Sequence, residues 1–148
     1  MIDTRTIMND SSISRDLPSG VVTFLFTDIE NSTRLWERFR DSMGEALSLH
    51  DQIVADAVRS NGGVVIKSTG DGAHAVFKLA IDAVRAVLAM QLKLQITNWE
   101  PVDPILVRTA LLTGEAELRD GDYYGSAVNR AARLMSSAWG GQILISAS

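Results

Sequence analysis

Two aspartates are the residues of this chain best suited to chemistry by type and spacing. Asp28 lies in Phe26-Thr27-Asp28-Ile29-Glu30-Asn31-Ser32-Thr33, where a β-branched, aromatic run gives way to helix-forming sequence. Asp71 lies in Gly70-Asp71-Gly72, between two short apolar runs. Each has an ordinary explanation, Asp28 in a polar group that caps a helix and Asp71 as a turn residue. Brought to one corner, however, two anions repel unless a cation or proton sits between them. Two carboxylates beside backbone carbonyls suit a hard cation that keeps its waters and binds phosphate, meaning Mg²⁺ or Mn²⁺.

The elements that would position these carboxylates follow from periodicity. Val21 to Thr27 reads as a buried central strand. From Ser32 the apolar residues Leu35, Trp36, Phe39, Met43, Ala46, Leu47, His50, Ile53, Val54, Ala57 and Val58 fall at helical steps, with Gly44 a point at which the segment could split. Asn61-Gly62-Gly63 ends that helix. Val64–Ser68 and Ala73–Phe77 flank a Gly-Asp-Gly turn and predict a hairpin. Ala80–Ile96 reads as a helix with Ile81, Val84, Val87, Leu88 and Leu92 on its apolar side, stopped by Pro101 and Pro104. Ile105–Leu112 reads as a fourth strand, Glu115–Leu118 as a short fifth, Ala127–Ser137 as a helix and Gln142–Ile145 as a last strand. The class is α+β: a ferredoxin-like βαββαβ core, with a mainly antiparallel sheet and helices packed on it. In that topology the first and third strands are antiparallel neighbours, which predicts Asp28 and Asp71 at one corner of the sheet.

Composition narrows the functions further. The chain has 148 residues, 46% of them hydrophobic, which is enough for one domain with a real core. Fourteen Lys and Arg against 18 Asp and Glu give a formal charge of -4, contrary to what a nucleic acid or an anionic membrane would require. With no cysteine, disulfides, thiolate zinc sites and cysteine nucleophiles are excluded. No apolar run approaches the ~20 residues of a membrane span, and Met1–Gly20 lacks the apolar stretch of a secretory signal. The expectation is a soluble, cytoplasmic protein with a flexible tail over 1–20 and one domain over 21–148.

Three motifs in order then carry a resemblance. Phe-Thr-Asp-Ile-Glu-x-Ser-Thr, Lys-x-Thr-Gly-Asp-Gly and Gly-Asp-Tyr-Tyr-Gly-x-x-Val-Asn-Arg-Ala-Ala-Arg together resemble the class III nucleotide cyclase catalytic domain, in its bacterial, actinobacterial-type branch. The resemblance covers Val21 to Ser148. It implies an adenylate cyclase that converts ATP to 3′,5′-cyclic AMP and pyrophosphate with two Mg²⁺ or Mn²⁺ per site. It implies a homodimer whose sites are each built from both chains. Asp28, the Ile29 carbonyl and Asp71 match metal ligands. Lys67 and Asp122 match the pair that selects the purine. Asn129 and Arg133 match the groups that hold the ribose and the transition state, with the purine pair, Asn129 and Arg133 coming from the subunit opposite the metal aspartates. A lysine donor and a carboxylate acceptor complement the adenine edge, whereas guanine presents the reverse polarity. Residues four apart, like Asn129 and Arg133, share a helix face.

Other readings stand beside these. Lys67 would also serve as a solvated charge or a partner of Asp71, Asp122 as a turn residue, and Arg133 as a cation at a helix C-terminus. His50 and His74 read as packing histidines, and Trp36, Trp99 and Trp139 as packing or interface anchors. The chain departs from the family pattern at Asn31, where glycine is common, and at Leu112, where histidine is frequent. The resemblance also implies a further strand pair beyond Ser148, often the source of a cation for the triphosphate. The second functional expectation is therefore a cyclase-homology module of low or no activity that binds nucleotide or dimerises in a regulatory role.

Overall fold

The computed structural model describes residues 17–146. β1 (Gly20–Ile29) is the central strand, and its interior positions from Val22 to Thr27 are buried. A left-handed turn at Asn31 (φ 56°) starts α1 (Ser32–Arg38), consistent with the tolerance of Asn for that region. α2 (Met43–Ser60) follows, so the helical segment breaks over residues 39–42 and Gly44 falls inside the first turn of α2. β2 (Val64–Ser68) and β3 (Gly72–Phe77) form the expected hairpin. Then come α3 (Ala80–Ile96), β4 (Val107–Arg119), β5 (Asp122–Tyr124), α4 (Ser126–Ser136) and β6 (Ile143–Ile145). None of the described helices is long and apolar enough to cross a membrane.

The sheet order is β2-β3-β1-β4-β5, with β6 parallel to β4 and the other pairs antiparallel. This is the α+β, ferredoxin-like arrangement anticipated from the element order. Alternation along β1 gives the sheet two differently covered faces. Leu25 and Ile29 join the core built with α2 and α3, whereas Val22, Phe24 and Phe26 join Leu112, Tyr123 and the small residues Ala127 and Ala131 of α4.

Two strands and the buried face of one helix differ from the sequence reading. β4 is one continuous strand rather than two, because Thr113-Gly114 stays in register with β1, Gly114 opposite Val22. A Cβ on Gly114 would lie 2.9 Å from that of Ala127, so this glycine admits α4 rather than ending a strand. Asp122 begins a strand, Asp122-Tyr123-Tyr124, rather than serving as a turn residue, and the strand is formed by a tight hairpin whose two turn residues, Asp120 and Gly121, both have positive φ. Asp-Gly is the characteristic sequence for that turn.

The third correction concerns α3. Its buried residues are Ala83, Ala86, Val87, Met90 and Leu94, while Ile81, Leu88 and Leu92 are more than half exposed. Only Val87 of the expected apolar side is fully buried. A helix that lies close on a sheet needs small residues at the contact, and the two alanines supply them. Of the three tryptophans, Trp99 is buried and donates its Nε1–H to the Leu94 carbonyl at 3.0 Å, whereas Trp139 is largely exposed. His50 is buried, as expected, with Nδ1 2.8 Å from the Asp51 carboxylate. The tail expected over 1–20 lies mostly outside the described residues.

Candidate active site

Asp28 is opposite Gly72 in the β1–β3 register, and the Ile29 amide donates to the Asp71 carbonyl at 3.0 Å. The end of β1 and the start of β3 therefore meet as the topology requires, with Asp28, Ile29 and Asp71 at one corner. Gly72 makes this approach possible, since a Cβ there would lie 2.0 Å from the Thr27 carbonyl oxygen. The Ala73 amide donates to Thr27 Oγ1 at 3.1 Å and pins the same junction. The Asp71 carboxylate accepts a hydrogen bond from Ser32 Oγ at 2.8 Å, from the first residue of α1.

Asp28 has a partner that the sequence did not disclose. Arg108 is its register partner on β4, and the guanidinium grips both carboxylate oxygens at 2.6 and 2.5 Å. This hydrogen-bonded pairing raises the Arg108 pKa against the opposing effect of burial, and the charges of Asp28, Glu30 and Asp71 all reinforce it. Three carboxylates acting on one guanidinium mark the corner as a place that favours positive charge. Among the described residues no group of three or more His, Asp or Glu side chains gathers as a metal cage. The donor set is two carboxylates and a carbonyl, which fits an ion that retains water or substrate oxygens.

Lys67 and Asp122 meet on the same sheet face, with Lys67 Nζ donating to Asp122 Oδ2 at 3.1 Å. Two local irregularities bring them there. β2 contains a bulge between Val65 and Lys67, so Lys67 pairs with His74 while Val65 pairs with Ala75. In a regular strand residues 65 and 67 would share a face; Val65 packs into the core beneath α2 and α3, and the extra residue Ile66 turns Lys67 to the other side. The Asp120-Gly121 turn then sets Asp122 at the start of β5. Burial alone would raise the Asp122 carboxyl, but a 2.8 Å bond from the Tyr123 amide and the Lys67 ammonium outweigh it and hold it below the usual carboxylate range.

His74 completes this part of the site. Its ring stacks on Phe26 at 3.7 Å with an interplanar angle of 2°, and it lines a small cavity with Phe26, Lys67, Asp122 and Val128. Burial and the neighbouring Lys67 push its pKa down, against the opposing pull of Asp122. Phe26 separates this cluster from Asp28 by one step along the same face of β1.

Asn129 and Arg133 are exposed on α4, on the side away from the buried Ala127 and Ala131. Neither side chain has a hydrogen bond or ion pair among the described residues. The chain thus brings Asp28 to Asp71 and Lys67 to Asp122, and leaves Asn129 and Arg133 facing outward. Ser32 and Arg108 escaped the sequence reading; the alternation Arg108, Ala110, Leu112 opposite Asp28, Phe26, Phe24 becomes visible only once β1 and β4 are aligned.

Comparison with known proteins agrees with this architecture. Residues 16–148 match the Adenylate and Guanylate cyclase catalytic domain family. An uncharacterized protein of Mycobacterium tuberculosis is 41% identical over 138 residues, which is 92% of this chain and 46% of that protein. The adenylate cyclase of Neurospora crassa is 34% identical over 154 residues, covering 87% of this chain and 7% of the fungal protein. An adenylate cyclase structure from Trypanosoma brucei, solved in a monomeric state, superimposes with a TM-score of 0.81 at 28% identity, over 88% of this chain and 74% of that one. The chain spans just under half the length of the mycobacterial relative.

Proposed function

The chain belongs to the adenylate and guanylate cyclase catalytic-domain family, and from that premise we propose that it is an adenylate cyclase that works as a homodimer. The reading rests on one observation: Lys67 Nζ meets Asp122 Oδ2 at 3.1 Å, which pairs a lysine donor with a carboxylate acceptor beside a small cavity. On this reading Lys67 donates to a ring nitrogen of adenine and Asp122 accepts from the exocyclic amino group. Guanine would present a donor to the lysine and an acceptor to the carboxylate, so ATP is favoured over GTP.

Asp28, Asp71 and the Ile29 carbonyl would hold Mg²⁺ or Mn²⁺, which on binding would make the ribose 3′-hydroxyl a better nucleophile and screen the phosphates. The 3′-oxygen attacks the α-phosphorus, the bond to the β-phosphate oxygen breaks, and pyrophosphate leaves while the hydroxyl proton passes to solvent. Lys67, Asp122, Asn129 and Arg133 act from the chain opposite the metal aspartates, across the dimer interface. The amide orients the ribose, and the guanidinium stabilises charge that develops on the phosphoryl oxygens.

The test is formation of cyclic AMP from MnATP by the purified dimer. Asp71→Ala is expected to abolish product, and Lys67→Glu with Asp122→Lys to depress ATP use more than GTP use. A dimer that is stabilised by nucleotide yet makes no product would establish the regulatory, non-catalytic module instead.

A further inference from the structure

The two carboxylates of the corner are held in different ways. Asp71 receives a neutral hydroxyl, from Ser32, whereas Asp28 is engaged by a full positive charge through two parallel bonds. Both partners of that ion pair are mostly buried, with side-chain exposures of 29% for Arg108 and 16% for Asp28. A bidentate, shielded pair of this kind is far stronger than a solvated surface pair. It also occupies both oxygens that a divalent ion would use. The next positions of β4 on the same face, Ala110 and Leu112, carry no charge, so Arg108 is the cation that the β1–β4 register delivers to this carboxylate.

We propose that Arg108 is an internal counter-cation that competes with the divalent metal for Asp28 and so sets the metal affinity of the nucleotide-free chain. The inference rests on Asp28 and Asp71 being metal ligands, and adds that one of them is already neutralised from within. An ion that reaches the corner gains Asp71 directly, but gains Asp28 only as Arg108 gives up one or both of its bonds. Arg108 is thus a positioning residue: it holds the Asp28 carboxylate in place and opposes its use.

The experiment is Mn²⁺ titration of the full chain without nucleotide, followed by electron paramagnetic resonance, which distinguishes free from bound ion. Arg108→Gln is expected to tighten Mn²⁺ binding by about tenfold, corresponding to about 1.4 kcal/mol. Arg108→Lys keeps the charge but loses the fork, and is expected to fall between the two. Arg34→Gln removes a cation from the lining of the same cleft without touching Asp28, and is expected to leave the affinity unchanged; melting curves verify that each variant is folded. Affinity that is unchanged or weaker in both Arg108 variants overturns the proposal, as does an equal gain in Arg34→Gln. If neither the parent nor any variant binds Mn²⁺, even with an ATP analogue present, the metal reading of the corner falls and the competition with it.

Discussion

At the residue scale, His74 offers a direct reading of the electrostatics of the base cluster. Its pKa lies below the ordinary 6.5 because burial and Lys67 disfavour the imidazolium, and Asp122 only partly offsets them. The folded chain therefore prefers the neutral ring. The stability contributed by that preference is complete above the unfolded value and declines as pH falls through the lower, folded value. An NMR titration should show His74 shifting at a lower pH than an unfolded reference peptide, its signal assigned by loss in His74→Phe. In His74→Phe the acid-side loss of melting temperature should diminish, whereas an unchanged loss would assign it elsewhere. Asp28 and Asp71 were legible from type and motif, and their meeting follows the predicted topology; Lys67 and Asp122 were legible from motif alone, and a bulge and a tight turn bring them together. Arg108 was not legible, because it lies in no motif, and Ser32, though it stands in the first motif, gave no sign of its bond to Asp71; each gains its significance from a partner far away in the chain.

At the scale of elements, the corner depends on backbone contact rather than on side-chain packing. Gly72→Ala forces a methyl group into the Thr27 carbonyl, where no flexible atom can yield. It should cost about 3 kcal/mol or more, read by chemical denaturation, and should lower metal binding even in molecules that remain folded. α3 supplies the opposite case. Met90→Ala removes a fully buried side chain and should cost about 2–5 kcal/mol, whereas Leu92→Gln on the exposed side should stay within about 0.5 kcal/mol. Equal losses in the two variants would contradict the observed orientation of the helix. The existence of α3 was legible in its apolar content, but its orientation was not. Large aliphatics occur on both of its sides, and the alanines that fit against the sheet carry little weight in a count of hydrophobicity. Likewise Gly114 looks like a strand end in sequence, and only the proximity of α4 explains it.

At the scale of the whole molecule, Asn129 and Arg133 point away from the sheet that bears the other candidate groups. If a site is completed across a two-fold interface, chains with complementary defects should rescue each other. Mixing Asp71→Ala with Asn129→Ala should restore about a quarter of the parental activity, since half of the dimers are then mixed and each has one intact site of two. No recovery after mixing, with exchange verified by mass, would mean that each chain must work alone. The order of the βαββαβ core was legible because its elements from β1 to α3 are long enough to declare their period, whereas the three-residue β5 was not. The bulge at Ile66 was not, since Val-Val-Ile-Lys-Ser reads like any regular strand. Yet that single additional residue lets the first half of β2 answer to the interior and the second half to the ligand. The same residues in a strand without the bulge would carry an ammonium group into the hydrocarbon side of the sheet while altering no candidate side chain. This strand can thus absorb many substitutions, but its irregularity is part of the specificity it encodes.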